Sequence, residues 1–382
     1  MIKFLLNTSI LLFITFQISF AADRYWIAAS SSNWNNTANW SSTSGGAGGA
    51  SVPAVGDIAV FDAGGLGDCS FDLNVGVEGL NVLSGYTGTI SQGGFALLVN
   101  LSNIVLTGGT FVGGTANITS NSSFTIAGTD FTSTSAILSV RGNFDFSGGT
   151  FAHNNGTVNY KTGKTITGSI ALNNASFEGI GGGNVMTLAN SAILTVTGTL
   201  TLKAGGVFEF NGGTIEAKGD IFAINSGTDG TTNLEINGTG NQLLTGHIVT
   251  NNQGALPNVI INKPSGTLTL LYTVTVSGDW TYIQGNIDAT TNASTVLFHT
   301  SKTISGTHGL HHITFQPAGG TTFEISIAPQ TCITTTGTLT FQGANGYFLN
   351  GGTIDAKGDI ISLRGSRGTA TINICGTGNQ VL

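Results

Sequence analysis

The chain has 382 residues, of which only 8 % are charged and 58 are Gly, where an ordinary soluble domain carries about 25 % charge. Its 40 % hydrophobic content, rich in Val, Ile, Leu and Phe, excludes a chain too polar to bury a core. A net charge of −7 disfavours a nucleic-acid partner, because binding phosphates needs clustered Lys and Arg.

Residues 1–21 read as a secretory signal peptide. Lys3 supplies a short positive start, Phe4 to Phe20 is mostly apolar, and Ser19-Phe20-Ala21 fits the small-x-small cleavage rule. A membrane anchor is the weaker reading. Asn7, Thr8, Ser9, Thr15 and Gln17 interrupt a stretch of only 17 residues, below the ~20 apolar residues a span needs. No later segment approaches that length and apolarity, so no transmembrane span is expected in the mature chain.

Residues 22–80 hold three of the four tryptophans, 81–141 read as coils of irregular length, and 142–382 contain a repeat. Gly198-Thr-Leu-Thr-Leu202, Asn211-Gly-Gly-Thr-Ile-Glu-Ala-Lys-Gly-Asp-Ile221 and Gly238-Thr-Gly-Asn-Gln-Leu-Leu244 return as Gly337-Thr-Leu-Thr-Phe341, Asn350-Gly-Gly-Thr-Ile-Asp-Ala-Lys-Gly-Asp-Ile360 and Gly376-Thr-Gly-Asn-Gln-Val-Leu382. Starts at Gly142, Gly198, Gly278 and Gly337 define units of 56, 80 and 59 residues, and a fourth of 46 that breaks off where the second continues. A fragment of a longer protein is therefore expected. The alternative is a natural end with a short capping coil, but Val381 and Leu382 offer no polar cap of the kind solenoids need.

Within each unit apolar and polar residues alternate. Leu194, Val196, Leu200 and Leu202 are separated by Thr or Gly, which predicts strands with one face buried. No stretch shows 3.6-residue periodicity, and five prolines suit a chain of ladders. A sandwich or barrel of this length would need several domains and linkers, and none is visible after about residue 80. A solenoid needs none, since each coil buries its apolar face on its neighbours. Coils of about 20 residues would give roughly 15–18 coils, a rod on the order of 75–85 Å long. Leu172-x-Asn174-x-x-Phe177, Leu256-x-Asn258-x-x-Ile261 and Leu310-x-His312-x-x-Phe315 share one register, with Asn174 and Asn258 as turn residues and His312 replacing one of them.

Cys69, Cys332 and Cys375 are too few for a disulfide scaffold. Cys332 and Cys375 would sit two coils apart, roughly 9.6 Å, beyond disulfide reach. Free, mostly buried thiols are expected.

The phrases Gly-Thr-Leu-Thr-Leu, Gly-Asn-Phe-Asp-Phe-Ser-Gly-Gly-Thr-Phe and Gly-Thr-Gly-Asn-Gln-Leu-Leu-Thr-Gly resemble the repeats of large bacterial secreted and surface right-handed parallel β-helix proteins of the filamentous-haemagglutinin and autotransporter-adhesin type. The resemblance, one of repeat style, covers residues from about 80 to 382. It implies an all-β, right-handed β-solenoid acting as passenger, stalk or envelope component, often with a separate C-terminal export or anchoring domain. No such domain is recognisable here. Tyr25-Trp26, Trp34, Trp40, Pro53 and Gly56-Asp57-x-x-x-Phe61-Asp62 are similar to the segment preceding such helices, and are read as an N-terminal cap because a coil end must be covered.

Chemistry is sought next among the acids, His and Gly. Polysaccharide lyases and hydrolases of the same fold are the rival, and their mechanism needs close carboxylates or an acidic calcium site with a base. Glu216, Asp288 and Asp355 recur at one repeat position, and Asp220, Asp279 and Asp359 near another. Equivalent positions a unit apart stand roughly 14 Å from each other, too far to act as a pair. Glu216 with Lys218, and Asp355 with Lys357, read as solvated surface pairs.

His308-x-x-His311-His312 invites a metal, yet no carboxylate or cysteine completes a site. Gly179-x-Gly181-Gly182-Gly183 lacks a following helix, so it is no dinucleotide loop. Gly64-Gly65-Leu66-Gly67-Asp68 misses a calcium-binding nonapeptide because Cys69 sits where an Asp belongs. Thr195 with Thr197, and Thr267 with Thr269, are ordinary outward Thr pairs, and the sequons at Asn117 and Asn237 are of the kind an Asn- and Thr-rich chain generates by chance.

The sequence thus predicts a secreted or cell-surface bacterial protein, not an enzyme, without catalytic, cofactor or metal residues. It would contact glycans, other matrix proteins or itself. The alternative is a carbohydrate-active enzyme of the same fold.

Overall fold

The computed structural model describes residues 22–161, 163–179, 184–189, 191–204, 207–224, 227–247, 255–316, 323–342, 347–363 and 365–382. The leader expected at 1–21 lies outside them. What is described is nearly all β, with parallel strands stacked into a β-solenoid of about 13 turns.

Each turn places three short strands on three faces. Gly79–Val82, Thr89–Ser91 and Leu97–Val99 form one turn, and Ile104–Leu106, Thr110–Val112 and Ile118–Ser120 stack on them in that order. Period-two alternation sends every second side chain inward. Leu80, Ile104, Phe124 and Phe144 therefore meet as one buried column on the first face. Aromatic rings continue such columns: Phe298, Phe315 and Phe341 stack at 5.6 Å steps. The ladders run unbroken through 81–141. Turn length varies: Tyr160 stacks on Phe177 and Ile104 on Phe124, but several turns exceed the 20 residues expected, as where Leu234 stacks on Val259 and Gln242 on Leu268. That leaves fewer turns than the 15–18 expected, and a rod on the order of 60 Å.

At the N-terminal end Ala22–Trp26 pairs in parallel with Asp57–Phe61 and antiparallel with Trp40–Ser41. Trp26, Trp34 and Trp40 are fully buried there, with Trp34 and Trp40 centroids 4.8 Å apart and Phe61 beneath them.

Equivalent residues of the sequence repeat do not share a face. Phe144 lies on the first face, but its counterpart Trp280 stacks on Val259 of the second. Leu200 lies on the third face, and its counterpart Leu339 on the first. The long repeat advances by about six and a third turns of this ladder, so each copy lands one face further round.

The corners explain what the repeat conserves. Asn174 Oδ1 accepts the Thr199 N–H at 2.8 Å, and Asn258 Oδ1 the Asp279 N–H at 3.0 Å. His312 Nδ1 accepts the Thr338 N–H at 2.8 Å. The three residues are equivalent, as the register predicted. They work by latching the backbone of the next turn, and none has a positive φ. The glycine above each latch is needed for close approach: a Cβ on Gly278 would stand 2.2 Å from Asn258 N. Gly278→Ala should therefore cost roughly 1–3 kcal/mol. Gly240→Ala, at a site with nothing within 4 Å, should be neutral or slightly stabilising in a urea titration.

Candidate functional site

The outward side chains form columns too, one residue per turn. On the second face Thr195, Glu216, Glu235, Ile260, Thr281 and Ser305 follow one another in register. Thr195 Oγ1 donates to Glu216 at 3.0 Å, and Lys218 pairs with Glu216 at 3.2 Å. Asn262 Nδ2 donates to Glu235 at 3.0 Å, and Gln284 Nε2 to Asn262 at 2.9 Å. Ser305 Oγ donates to Thr281 Oγ1 at 3.2 Å. A band of hydroxyl, amide and carboxylate groups results, repeating at the ~4.8 Å strand spacing.

Glu235 is the member that comparison of the repeats missed. It has no counterpart among the recurring acids, yet it is the direct register partner of Glu216 on the adjacent turn. Distance along the repeat hid the pair, because the nearest acid in space comes from the next coil. Each of the two carboxylates is held by a donor of its own, from Lys218 and Thr195 or from Asn262. Among the described residues no three His, Cys, Asp or Glu side chains converge as a metal would require.

The other acids serve the backbone. Asp220 Oδ1 accepts the Leu243 N–H at 2.9 Å, Asp279 the Thr303 N–H at 2.9 Å and Asp359 the Val381 N–H at 2.8 Å. They are corner latches of the same kind as Asn174. Asp288 accepts from Thr290 and Thr291, and hydrogen bonds from Thr291 first and Thr290 next hold its carboxyl below the usual range. Asp355 accepts from Asn373 at 2.9 Å, and that bond is the main reason its carboxyl also titrates low. Asp68 Oδ1, in the glycine-rich stretch Gly64 to Asp68, accepts the Thr89 N–H at 2.8 Å. Of the Thr pairs, Thr197 donates to Leu172 O and Thr267 accepts from Asn286. Asn117 of the first sequon is a latch to Ile137, and Asn237 of the second has its side-chain oxygen buried. Gly181 to Gly183 lie outside the described residues.

The three histidines do three different things. His312 is a latch, and His311 Nδ1 meets Thr336 Oγ1 at 3.0 Å. His308 is buried, its Nδ1 2.7 Å from Gly306 O and its Nε2 2.9 Å from the indole nitrogen of Trp280. Trp280 can only donate, so Nε2 accepts and the ring is neutral, with Nδ1–H donating to Gly306. Burial lowers the pKa of His308 below the ordinary imidazole value. The unfolded chain then binds this proton more readily than the folded one, so stability falls as pH drops through about 6.5. We expect His308→Gln to lose less stability between pH 7 and 5 than the wild type in parallel urea titrations.

The three thiols are free. Of the three, expected to be mostly buried, Cys69 alone is fully buried; Cys332, at an outward position of the strand Cys332–Thr335, is half-buried, and Cys375 is exposed. Two turns separate the pair, as expected.

Among the described residues no helix is long and apolar enough to cross a membrane. No protein-family model, curated protein or solved structure matches the chain.

Proposed function

We propose that this chain is an exported, non-enzymatic, right-handed β-solenoid that works outside a bacterial cell as an adhesin passenger, stalk or matrix component. The observation that carries the reading is the outward column of the second face, which offers a hydrogen-bonding side chain at Thr195, Glu216, Glu235, Thr281 and Ser305 and is interrupted by Ile260. A rigid rod that repeats weak contacts along its length gains avidity for a repetitive partner such as a glycan or a second copy of itself. The tryptophan segment is read as the cap of the rod, and the leader as the export signal.

The enzymatic reading is favoured by one feature, the stacked pair of Glu216 and Glu235, because a retaining glycosidase holds two carboxyl groups about 5–5.5 Å apart. A polysaccharide depolymerisation assay separates the two. No cleavage is expected from the wild-type chain; cleavage that disappears in Glu216→Gln or Glu235→Gln would overturn the non-enzymatic reading. N-terminal sequencing of the exported protein should begin at Ala22, and an uncleaved leader would remove the export step.

A further inference from the structure

Four of the 12 cations of this acidic chain fall within one short stretch where acids are sparse. Residues 131–204 carry Arg141, Lys161, Lys164 and Lys203 against Asp145 and Glu178, a net +2, while the remainder sums to −9. The fold compacts them further. Val140, Tyr160, Phe177 and Leu202 form an inward column of the third face on four successive turns. The residues that follow them, Arg141, Lys161, Glu178 and Lys203, therefore stack at the corner of that face, with Lys161 against Glu178 and Glu178 against Lys203 in direct register.

Only one acid stands in this column, and it is ion-paired with Lys161. Arg141 and Lys203 are exposed and make no ion pair among the described residues. Asp145, the other acid of the segment, lies round the corner on the first face, where it accepts from Ser147. Lys161 is disfavoured as a cation by burial first, and then by Arg141 and Lys203. The corner thus holds an excess of positive charge that the protein leaves unneutralised. Beside it runs a second outward column, Ser139, Asn159, Ser176 and Thr201, of hydroxyl and amide groups.

Resting on the glycan-contacting reading above, we infer that this corner of the third face binds an anionic polysaccharide laid along the rod. Carboxylates of the polymer meet Arg141 and Lys203, three turns or roughly 14 Å apart, and its hydroxyls meet the Ser139 to Thr201 column. Charge at this spacing suits an extended polymer with an acidic group every few sugars. Single-stranded nucleic acid is the poorer fit, because it relies on aromatic side chains for base stacking, and neither column contains one.

The test uses the full mature chain on immobilised alginate, with dextran of similar size as the uncharged control and single-stranded DNA as a competitor. Retention on alginate and not on dextran is expected, weakening steeply as salt screens the charges. Arg141→Ser with Lys203→Ser should weaken it on the order of tenfold. Both side chains are exposed, so circular dichroism should be unchanged, and Lys357→Ser, which removes an exposed cation elsewhere on the rod, should bind like the wild type. Equal binding by the double variant and the wild type, or stronger competition by DNA than by free alginate, overturns this site. Binding to dextran that ignores both substitutions would overturn it while sparing the general glycan reading. Failure to retain on any polysaccharide would overturn both.

Discussion

Lys263→Met is expected to destabilise the rod by roughly 3–5 kcal/mol, although it replaces a charged residue with an apolar one of similar length. Lys263 is 1 % exposed, at the bend where the long strand Asn258–Leu271 passes from the second face to the third. Its ammonium donates to Gly238 O and Gly240 O at 2.8 Å and to Gln242 Oε1 at 2.6 Å. Gln242 is itself buried and donates to Ala217 O and Gly219 O, so three consecutive turns are joined through one polar cluster. Methionine would fill the space but leave the acceptors dry and unpaired, each at about 1–3 kcal/mol. The midpoint of urea unfolding should fall accordingly, while Lys357→Met on the exposed surface should stay within about 0.5 kcal/mol of wild type. A double variant that also carries Gln242→Met should lose less than the sum of the two single changes, because one acceptor leaves with the donor. Strict additivity would show that the cluster is not a unit.

Trp40→Ala should cost about 3–5 kcal/mol, and the loss should be confined to one end of the rod. The indole is fully buried, packs edge-on against Trp26 at 5.2 Å and Trp34 at 4.8 Å, and donates to Trp34 O at 2.8 Å. Since each coil touches only its neighbours, the cavity should loosen Ala22–Trp26 and the strand Asp57–Phe61 it stacks on, and leave distant turns intact. Limited proteolysis should nick the variant before residue 62 while the remainder persists. Uniform loss of hydrogen-exchange protection along the whole chain would contradict a quasi-one-dimensional architecture.

These two sites differ in how far the sequence announced them. Three tryptophans near the start of a chain with four are conspicuous, and their burial at the coil end follows from size and position. Lys263 gave no signal, because an isolated Lys in a Thr-rich strand looks like a solvated residue until the bend turns it inward. The same limit applied to Glu235, whose partner Glu216 is 19 residues away in sequence and adjacent in register. Arg141, Lys161 and Lys203 are likewise spread over 62 residues and meet at one corner only because the turns between them keep step. The acids at 220, 279 and 359 recur near one position of the repeat, but their task of latching the next turn is set only by the fold.

By itself the sequence determined the class of structure. Alternation with period two is a local property, and so are the glycines and asparagines that end each strand, so strands, coils and a solenoid could be read from neighbours along the chain. What only the tertiary structure decided was which residues share a face. Turn lengths vary by several residues, and the repeat advances by a fraction of a turn, so equivalent positions rotate away from each other while unrelated ones stack. In a solenoid function resides in columns, and a column is assembled from residues a full turn apart, where the sequence carries no local mark of who stands above whom.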